Sequence, residues 1–422
     1  ETAIGFIKKE VYLLFHNIIV IGAGASGIMA SITAKDNGKD VAILESKNRM
    51  GNKILSTGNG RCNITNKNII FTKYHSRNLD FVKNILNKFS VRDTITFFDS
   101  LGLPLTTLEN GKMYPLSLQA SSVLDILRMA IEDRNIPIYL NSKVTDIIRD
   151  KKYFKLFCRD KVYKCNKIIL CTGGKSAPHT GSDGSGFNIC KNLGHSIITP
   201  LPALVQLKLR YDHLRALSGV KFNGYVEILV DNEIQQREYG EILFTDYGIS
   251  GPPILEISRI ASCNLLNKRS VKIRIDMLPD LKRESLLEFL ENHWGTFNYR
   301  SVYNSLIGII NKKIIPILLK EAAVNDIHKP CYELSWREKK SICNLLKCWE
   351  FMVYDTNSFK NSQVTCGGVS TDEIDYNTLE SKKIEHLYLA GEILDVDGCC
   401  GGFNLQWAWS SGFVAGTSAA ES

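Results

Sequence analysis

Gly22, Gly24 and Gly27 form a G-x-G-x-x-G run, and an acid, Glu45, follows about 20 residues further on. Together these residue types bind a dinucleotide. Gly22 permits a tight turn. Gly24 removes a side chain where a pyrophosphate must approach the backbone, with Ala23, Ala25 and Ser26 beside it. Gly27 lets the following helix pack closely on the preceding strand. The helix start offers unpaired N–H groups and the positive end of a dipole to the phosphates. Glu45 is placed to accept hydrogen bonds from an adenosine ribose. An acid there suits an unphosphorylated ribose, which argues against NADP at this site and leaves NAD and FAD open.

A second cluster follows at once. "GNKILSTGNGRCNITN" runs from Gly51 to Asn66 without an amphipathic period and reads as a loop. Long loops without structure of their own are usually functional or disordered. This one supplies small residues and backbone N–H groups that let a flat ring approach, a cation in Arg61 and an amide in Asn63, which suits a flavin. A third cluster is "CTGG" after the apolar run Lys167–Leu170. Cys171 is read as packing. A fourth is "AGEILDVDGCCGGFNLQ", where Gly391 and Glu392 end a strand expected over 386–390 and a helix is expected from "GGFNLQ" to about Gly416.

Taken together, the chain resembles the BaiN-like (YhiN-like) NAD(P)/FAD-dependent oxidoreductases, distantly similar to the fumarate reductase and succinate dehydrogenase flavoproteins. "GNKILSTGNGRCNITN" is similar to that family's G-x-K-x-x-x-[ST]-G-x-G-R-C-N-x-T-N signature. "KIILCTGGKSAP", "GSDGSGFNICKNLGH", "GEILFTDYGISGPPILEIS", "TCGGVS" and "LYLAGEILDVDGCCGGFNLQWAWSSGFVAG" match further motifs along nearly the whole chain. The resemblance implies bound FAD. It implies cofactor contacts at Ser46, Lys53, Ser56, Thr57, Gly58, Gly60, Arg61, Cys62 and Asn63, besides the first glycine run and Glu45. It adds Val144, Thr172, Gly173, Gly174, Gly391, Glu392, Gly402, Asn404 and Leu405. The helix start near Gly402 would face the flavin edge that turns negative on reduction. The implied activity is NAD(P)H-driven reduction of a carbon–carbon double bond conjugated to a ketone, in a 3-oxo-Δ4 or Δ6 steroid or bile-acid-like molecule. NAD(P)H would visit and leave, since no second strand–glycine–helix turn is found. Weak candidates for catalysis are Arg61, His179 and Tyr247, with Tyr114 equally loose. His195 reads as a structural cap. Cys399 and Cys400 stand where the family more often has Pro-Thr; adjacent cysteines bridge only with strain, so a redox role is not expected.

The elements that must position these groups are those of an α/β protein. A strand at Ile18–Ile21, a helix from Ser26 to Asn37 and a strand at Val41–Leu44 make a first βαβ unit. "IPIYLNSKVTDIIRD" reads as two short strands. The fold expected is a Rossmann-like FAD-binding domain, a parallel sheet with helices, interrupted by an inserted β-plus-helical cap or substrate region. The FAD domain takes 1–195 and 358–422, and the insert 196–357. Within the insert, strands are expected at 203–209, 225–230 and 271–276, and helices at 282–292, 314–324 and 336–346.

Composition sets the outer bounds. The 422 residues are 44% hydrophobic and 23% charged, as in soluble globular proteins. No apolar run is long enough for a bilayer, and "ETAIGFIKKEVYLLFHN" does not read as a signal peptide; it reads as a remnant or an extra strand. Twelve cysteines are scattered without C-x-x-C spacing, which predicts no metal site and a reducing, cytoplasmic setting. The net charge of +8 is accounted for by a lysine-rich surface and anion sites, so nucleic acid is not the expected partner; the resemblance implies a small molecule, an apolar enone. Two other readings remain open: an FAD-dependent RNA-modification protein, and a flavin sensor or scaffold without turnover.

Overall fold

The computed structural model describes residues 13–159 and 161–422; the reading of the first twelve residues lies outside them. The chain divides into two compact units. One comprises the chain up to Leu201 and from Val364 to Ser422, and the other runs from Pro202 to Gln363. The sequence had placed these breaks six residues earlier at each end.

The first unit is built on a seven-stranded sheet. In chain order its strands are β1 (Leu13–Ile21), β2 (Val41–Leu44), β3 (Ile138–Tyr139), β4 (Val144–Asp150), β5 (Tyr153–Cys158), β6 (Lys161–Leu170) and β7 (Leu387–Leu389). Their spatial order is β3-β2-β1-β6-β5-β4, with β7 also on β6. β1 lies between β2 and β6, parallel to both, with Ile21 opposite Leu44 and Leu170. The outer edge of β6 is shared: Lys161–Cys165 pairs antiparallel with β5, and Ile168–Leu170 pairs parallel with β7. Ile18, Ile19, Val20 and Ile21 are all buried, as in a strand covered on both faces. β1 starts five residues before the expected Ile18, because Leu13–His16 continue the ladder along Val162–Cys165.

Two helices cover the centre of this sheet: α1 (Ala25–Asp36) and α3 (Phe403–Glu421), with the short α2 (Asn52–Ser56) between them in sequence. α3 extends five residues past the expected Gly416. α1 and α3 are in contact through glycine. A Cβ on Gly412 would stand 2.4 Å from the Ser26 carbonyl oxygen, and one on Gly416 2.5 Å from that of Ala30. Spaced one helical turn apart, these glycines let the two backbones meet, so α3 holds the helix that follows the first glycine turn.

The second unit is a closed six-stranded barrel of strands 207–210, 248–250, 233–244, 221–230, 271–276 and 349–356, in that spatial order. Helices span 252–266, 283–296, 315–321 and 336–348. Leu207, Val226, Ile228, Ile249, Ile273 and Phe351 are among its buried core residues. Strand 203–209 of the sequence reading is two strands, 197–203 and 207–210, and the first pairs with 364–369 in a separate two-stranded sheet. Strands 233–244 and 349–356 were not foreseen. The first reads EIQQREYGEILF with an exposed start, so its apolar signal arrives only at Ile242. Among the described residues no helix is long and apolar enough to cross a membrane.

Candidate dinucleotide and flavin site

The first glycine turn is closed on two sides and open on one. Gly22 takes a positive φ of 103°, and its N–H donates to the Leu44 carbonyl at 2.8 Å. A Cβ on Gly22 would meet the Cys171 carbonyl oxygen at 2.4 Å, and one on Gly27 would meet the Gly22 carbonyl oxygen at 1.9 Å. Gly24 has nothing within 4 Å of its Cβ position. The turn is therefore pressed against β6 and α1 while its middle faces free space at the helix start, the place a pyrophosphate requires.

Glu45 fastens this turn to the end of β2. One carboxylate oxygen accepts from the Ala23 N–H at 2.8 Å, and the other from the Lys47 N–H at 2.8 Å and the Ser46 hydroxyl at 3.1 Å. The oxygen bonded to Ala23 keeps a lone pair for a ribose hydroxyl. The Glu45 carbonyl accepts the Ser142 N–H at 2.8 Å, which brings the start of β4 and the buried Val144 to the same strand end.

The segment 51–66 is not the plain loop expected. It contains α2, a short 3₁₀ turn at Thr57–Gly60 and a two-residue strand, Thr65–Asn66. The helix is local: the Ser56 hydroxyl donates to the Lys53 carbonyl at 2.8 Å and the Thr57 hydroxyl to that of Ile54 at 2.7 Å. A five-residue helix is too short to show a period, which is why the sequence hid it. Gly51, Gly58, Asn59, Gly60 and Cys62 all have positive φ. The segment thus winds through left-handed turns that favour glycine and asparagine. Its end is pinned by the Trp409 indole N–H on the Ile64 carbonyl at 3.0 Å and by Thr65 on Gln406. Arg61 is exposed, with its guanidinium 4.9 Å from the centre of the Tyr114 ring. Cys62 is fully buried; burial pushes its thiol up to about 12 against the pull of Thr57, so it is a packed thiol. Burial likewise pushes Cys171 up to about 12.

Lys53 and Glu392 meet at 2.6 Å and are only part-exposed. The other Glu392 oxygen accepts the Thr365 N–H at 2.7 Å, and the Thr365 hydroxyl oxygen accepts the N–H groups of Lys175 and Ser176 at 2.8 and 3.0 Å. Gly174 and Gly391 fit tightly here: a Cβ would meet the Thr365 hydroxyl at 2.4 Å and the Ser26 hydroxyl at 2.4 Å, respectively. At the start of α3, Gly402 has a φ of 100°, and Asn404 closes on Gly398, accepting its N–H and donating to its carbonyl, both at 2.8 Å. Leu405 packs, part-buried, on the core.

Among the buried polar atoms of this unit without a partner are Asn63 Oδ1, Thr172 Oγ1 and Ser182 Oγ. Ser182 lies against Gly173, 2.9 Å from where its Cβ would be. Unsatisfied buried polar atoms are costly and mark a place where a ligand or water completes the bonding. With the open Gly24 and the Glu45 acceptor, they fit FAD. Sequence reading missed Ser182 and Thr365. Both lie in motifs quoted above, but whether a hydroxyl has partners, as Thr365 has and Ser182 has not, is visible only in three dimensions.

The weak catalytic candidates are scattered. His179 is exposed on the 178–180 turn, and Tyr247 belongs to the barrel unit. His195 is buried, with Nε2 bonded to the Ser381 hydroxyl at 2.9 Å. Burial pushes its pKa down, opposed by Glu373. Among the described residues no group of three or more His, Cys, Asp or Glu could hold a metal ion.

Residues 16–418 match the HI0933-like protein Rossmann domain family. A 3-dehydro-bile acid delta(4,6)-reductase of Clostridium scindens is 38% identical over 96% of this chain and 99% of its own. A ribosomal RNA dihydrouridine synthase of Escherichia coli is 30% identical over 94% of this chain and 96% of its own. Among solved structures, a 3-ketosteroid delta1-dehydrogenase from Sterolibacterium denitrificans has a TM-score of 0.50 at 12% identity, covering 96% of this chain and 99% of that one. The E. coli quinol fumarate reductase FrdA has a TM-score of 0.50 at 15% identity, covering 97% and 70%. These structural likenesses speak to the fold alone.

Proposed function

The chain belongs to the HI0933-like Rossmann-domain family, and on that premise we propose an FAD-dependent oxidoreductase that reduces a carbon–carbon double bond conjugated to a carbonyl. One observation carries the reading. Two relatives of nearly full length have names that share one bond type. A Δ4,6 bond beside a 3-oxo group and the C5–C6 bond of uridine beside its C4 carbonyl are both conjugated to C=O. The closer identity favours a steroid enone as substrate, driven by NADH or NADPH. The second relative supports a uridine in RNA as a second reading.

Once reduced, bound FAD would supply the hydride for the β-carbon. The chain's own groups do the rest. The open face of Gly24 and the N–H groups of α1 take the pyrophosphate, and Glu45 takes the ribose. Asn63, Thr172 and Ser182 gain the partners they lack. Lys53, held by Glu392 beside the glycines of 174 and 391, is assigned to the side of the ring that turns negative on reduction. Arg61 is assigned to the carbonyl, where negative charge develops as the hydride arrives, and the α-carbon then takes one proton from water.

The test is an anaerobic spectrum of the purified holoprotein. NADH or NADPH should bleach the visible flavin bands, and a steroid enone or a uridine-containing RNA should restore them. Recovery on one and not on the other selects between the two readings. A flavin that neither donor bleaches ends the NAD(P)H-driven mechanism.

A further inference from the structure

The barrel unit carries an exposed group of aromatic and basic side chains that its core does not use. Tyr299 is 70% exposed, Tyr332 68% and Trp336 50%. The unit's other tryptophans, Trp294 and Trp349, are buried.

Backbone hydrogen bonds bring the segments that carry the two tyrosines together. The Cys331 N–H donates to the Arg300 carbonyl at 2.9 Å, the Tyr332 N–H to that of Asn298 at 3.2 Å, and the Val302 N–H to that of Lys329 at 3.0 Å. Segments 298–302 and 329–332 therefore run antiparallel side by side, with a bridge between Ser301 and Pro330. Tyr299 and Tyr332 stand on neighbouring segments. Trp336 follows one turn later as the first residue of helix 336–348, fixed by a capping box between Ser335 and Glu338.

Cations accompany the rings. The Arg300 guanidinium lies 4.1 Å from the Phe297 ring centre and 6.0 Å from that of Tyr299, and the Lys340 ammonium 4.9 Å from that of Trp336. Arg337 is exposed beside them. Of the nearby acids, Glu338 is engaged by Lys329 at 2.7 Å and by the cap, and Glu291 faces Lys339 at 3.9 Å; Glu333 stays exposed. The patch is positive around its rings.

We propose that this patch binds a single-stranded segment of RNA, whose bases stack on Tyr299, Tyr332 and Trp336 while Arg300, Arg337 and Lys340 take the phosphates. The chemistry fits that occupant. Every base has a face to stack, and cations interleaved with exposed rings track a phosphate backbone without reading sequence. An apolar steroid would leave the cations unmatched. The proposal rests on the second reading, a uridine in RNA, and gives the barrel unit the task of holding the strand.

The holoprotein is titrated into a fluorescein-labelled 12-nucleotide oligouridylate, read by anisotropy at several salt concentrations. Wild type should bind, with affinity falling steeply as salt rises. Tyr299→Ala, Tyr332→Ala and Trp336→Ala should each weaken binding roughly tenfold, with flavin spectrum and melting temperature unchanged. Trp336 is the exposed tryptophan, so bound oligonucleotide should quench and shift its emission, and Trp336→Phe should abolish that signal while retaining most of the affinity. A wild type that does not bind, or alanine variants that bind as wild type does, overturns the proposal. A separate readout, dihydrouridine in ribosomal RNA by mass spectrometry, judges the reading beneath it. Dihydrouridine made equally well by the alanine variants sinks the surface and keeps the reading. Ring-dependent binding with no dihydrouridine made keeps the surface and sinks the reading.

Discussion

Two glycine corners in this molecule look alike and serve different ends. At the turn after β1, Gly22 and Gly27 come so close to carbonyl oxygens that a Cβ would stand 2.4 and 1.9 Å away. In the barrel, Gly248 and Gly251 are equally tight, at 2.0 Å from the Leu207 oxygen and 2.1 Å from that of Glu241. The barrel corner is closed throughout: it folds strand 248–250 back into helix 252–266. The first corner has a gap at Gly24 between its two closed positions. Close approach of glycine is thus an architectural device that any tight corner uses. On the proposed reading, the open glycine between closed ones is where the ligand lies.

The largest effect is expected where the two corners agree. Gly27→Ala and Gly248→Ala should both cost stability of the order of 1–3 kcal/mol or more, since backbone carbonyls cannot step aside as a flexible side chain can. Thermal unfolding of each would check this. Equal melting temperatures for either variant and wild type would break the architectural half of the comparison. Gly24→Ala then separates the corners. Gly24 has φ −86° and ψ −172°, which any residue adopts, so the apoprotein should melt as wild type does. The ratio of flavin to protein absorbance after purification should nevertheless fall sharply, because the methyl group fills the space that the pyrophosphate needs. A Gly24→Ala protein saturated with FAD would show that the gap is not the phosphate site.

This contrast also explains what the sequence could reveal. The βαβ unit and its tight glycine turn were legible because close backbone approach admits one residue type, glycine, and glycine is visible in a sequence. Helix 283–296 and strand 271–276 were legible through periodicity. The barrel's closure was not, because strand 233–244 faces solvent for most of its length and its register is set by partners far along the chain. Its hairpin turn could have been found, since Asp231 and Asn232 both take positive φ, and Asp-Asn is a composition suited to such a turn. The hydroxyls of Ser182 and Thr365 were hidden for another reason: serine and threonine are common, and only the absence or wealth of partners distinguishes them.

A smaller effect tests whether the first unit is held by charge as well as by glycine. Burial alone would raise the Glu373 carboxyl, but the Lys383 ammonium at 2.7 Å and the Ser196 N–H at 2.8 Å outweigh it and set it near about 2, below its ordinary 4.5. A depressed acid contributes stability that is fully present above pH 4.5 and is lost as pH falls through about 2. Wild type should therefore melt above Glu373→Gln at pH 6, and the two curves should converge between pH 4.5 and 2. A constant gap across that window would mean that the Glu373 contacts act through packing alone.

The smallest effect is expected at the cysteines, and it bears on both units. Cys62 sits at φ 59° inside the flavin-side segment, fully buried, its thiol pushed up to about 12 by burial. At pH 8 that leaves roughly one thiolate in ten thousand, behind a closed wall. Cys348, at the end of helix 336–348 in the barrel unit, is exposed. Iodoacetamide on the native holoprotein at pH 8 should therefore label Cys348 and spare Cys62, and mass spectrometry after urea treatment should find Cys62 labelled as well. Native labelling of Cys62 would require an open path to it and a stabilised thiolate. That would return to Cys62 the nucleophilic role that its burial denies, and the segment 51–66 would then have to be read as chemistry as well as cradle.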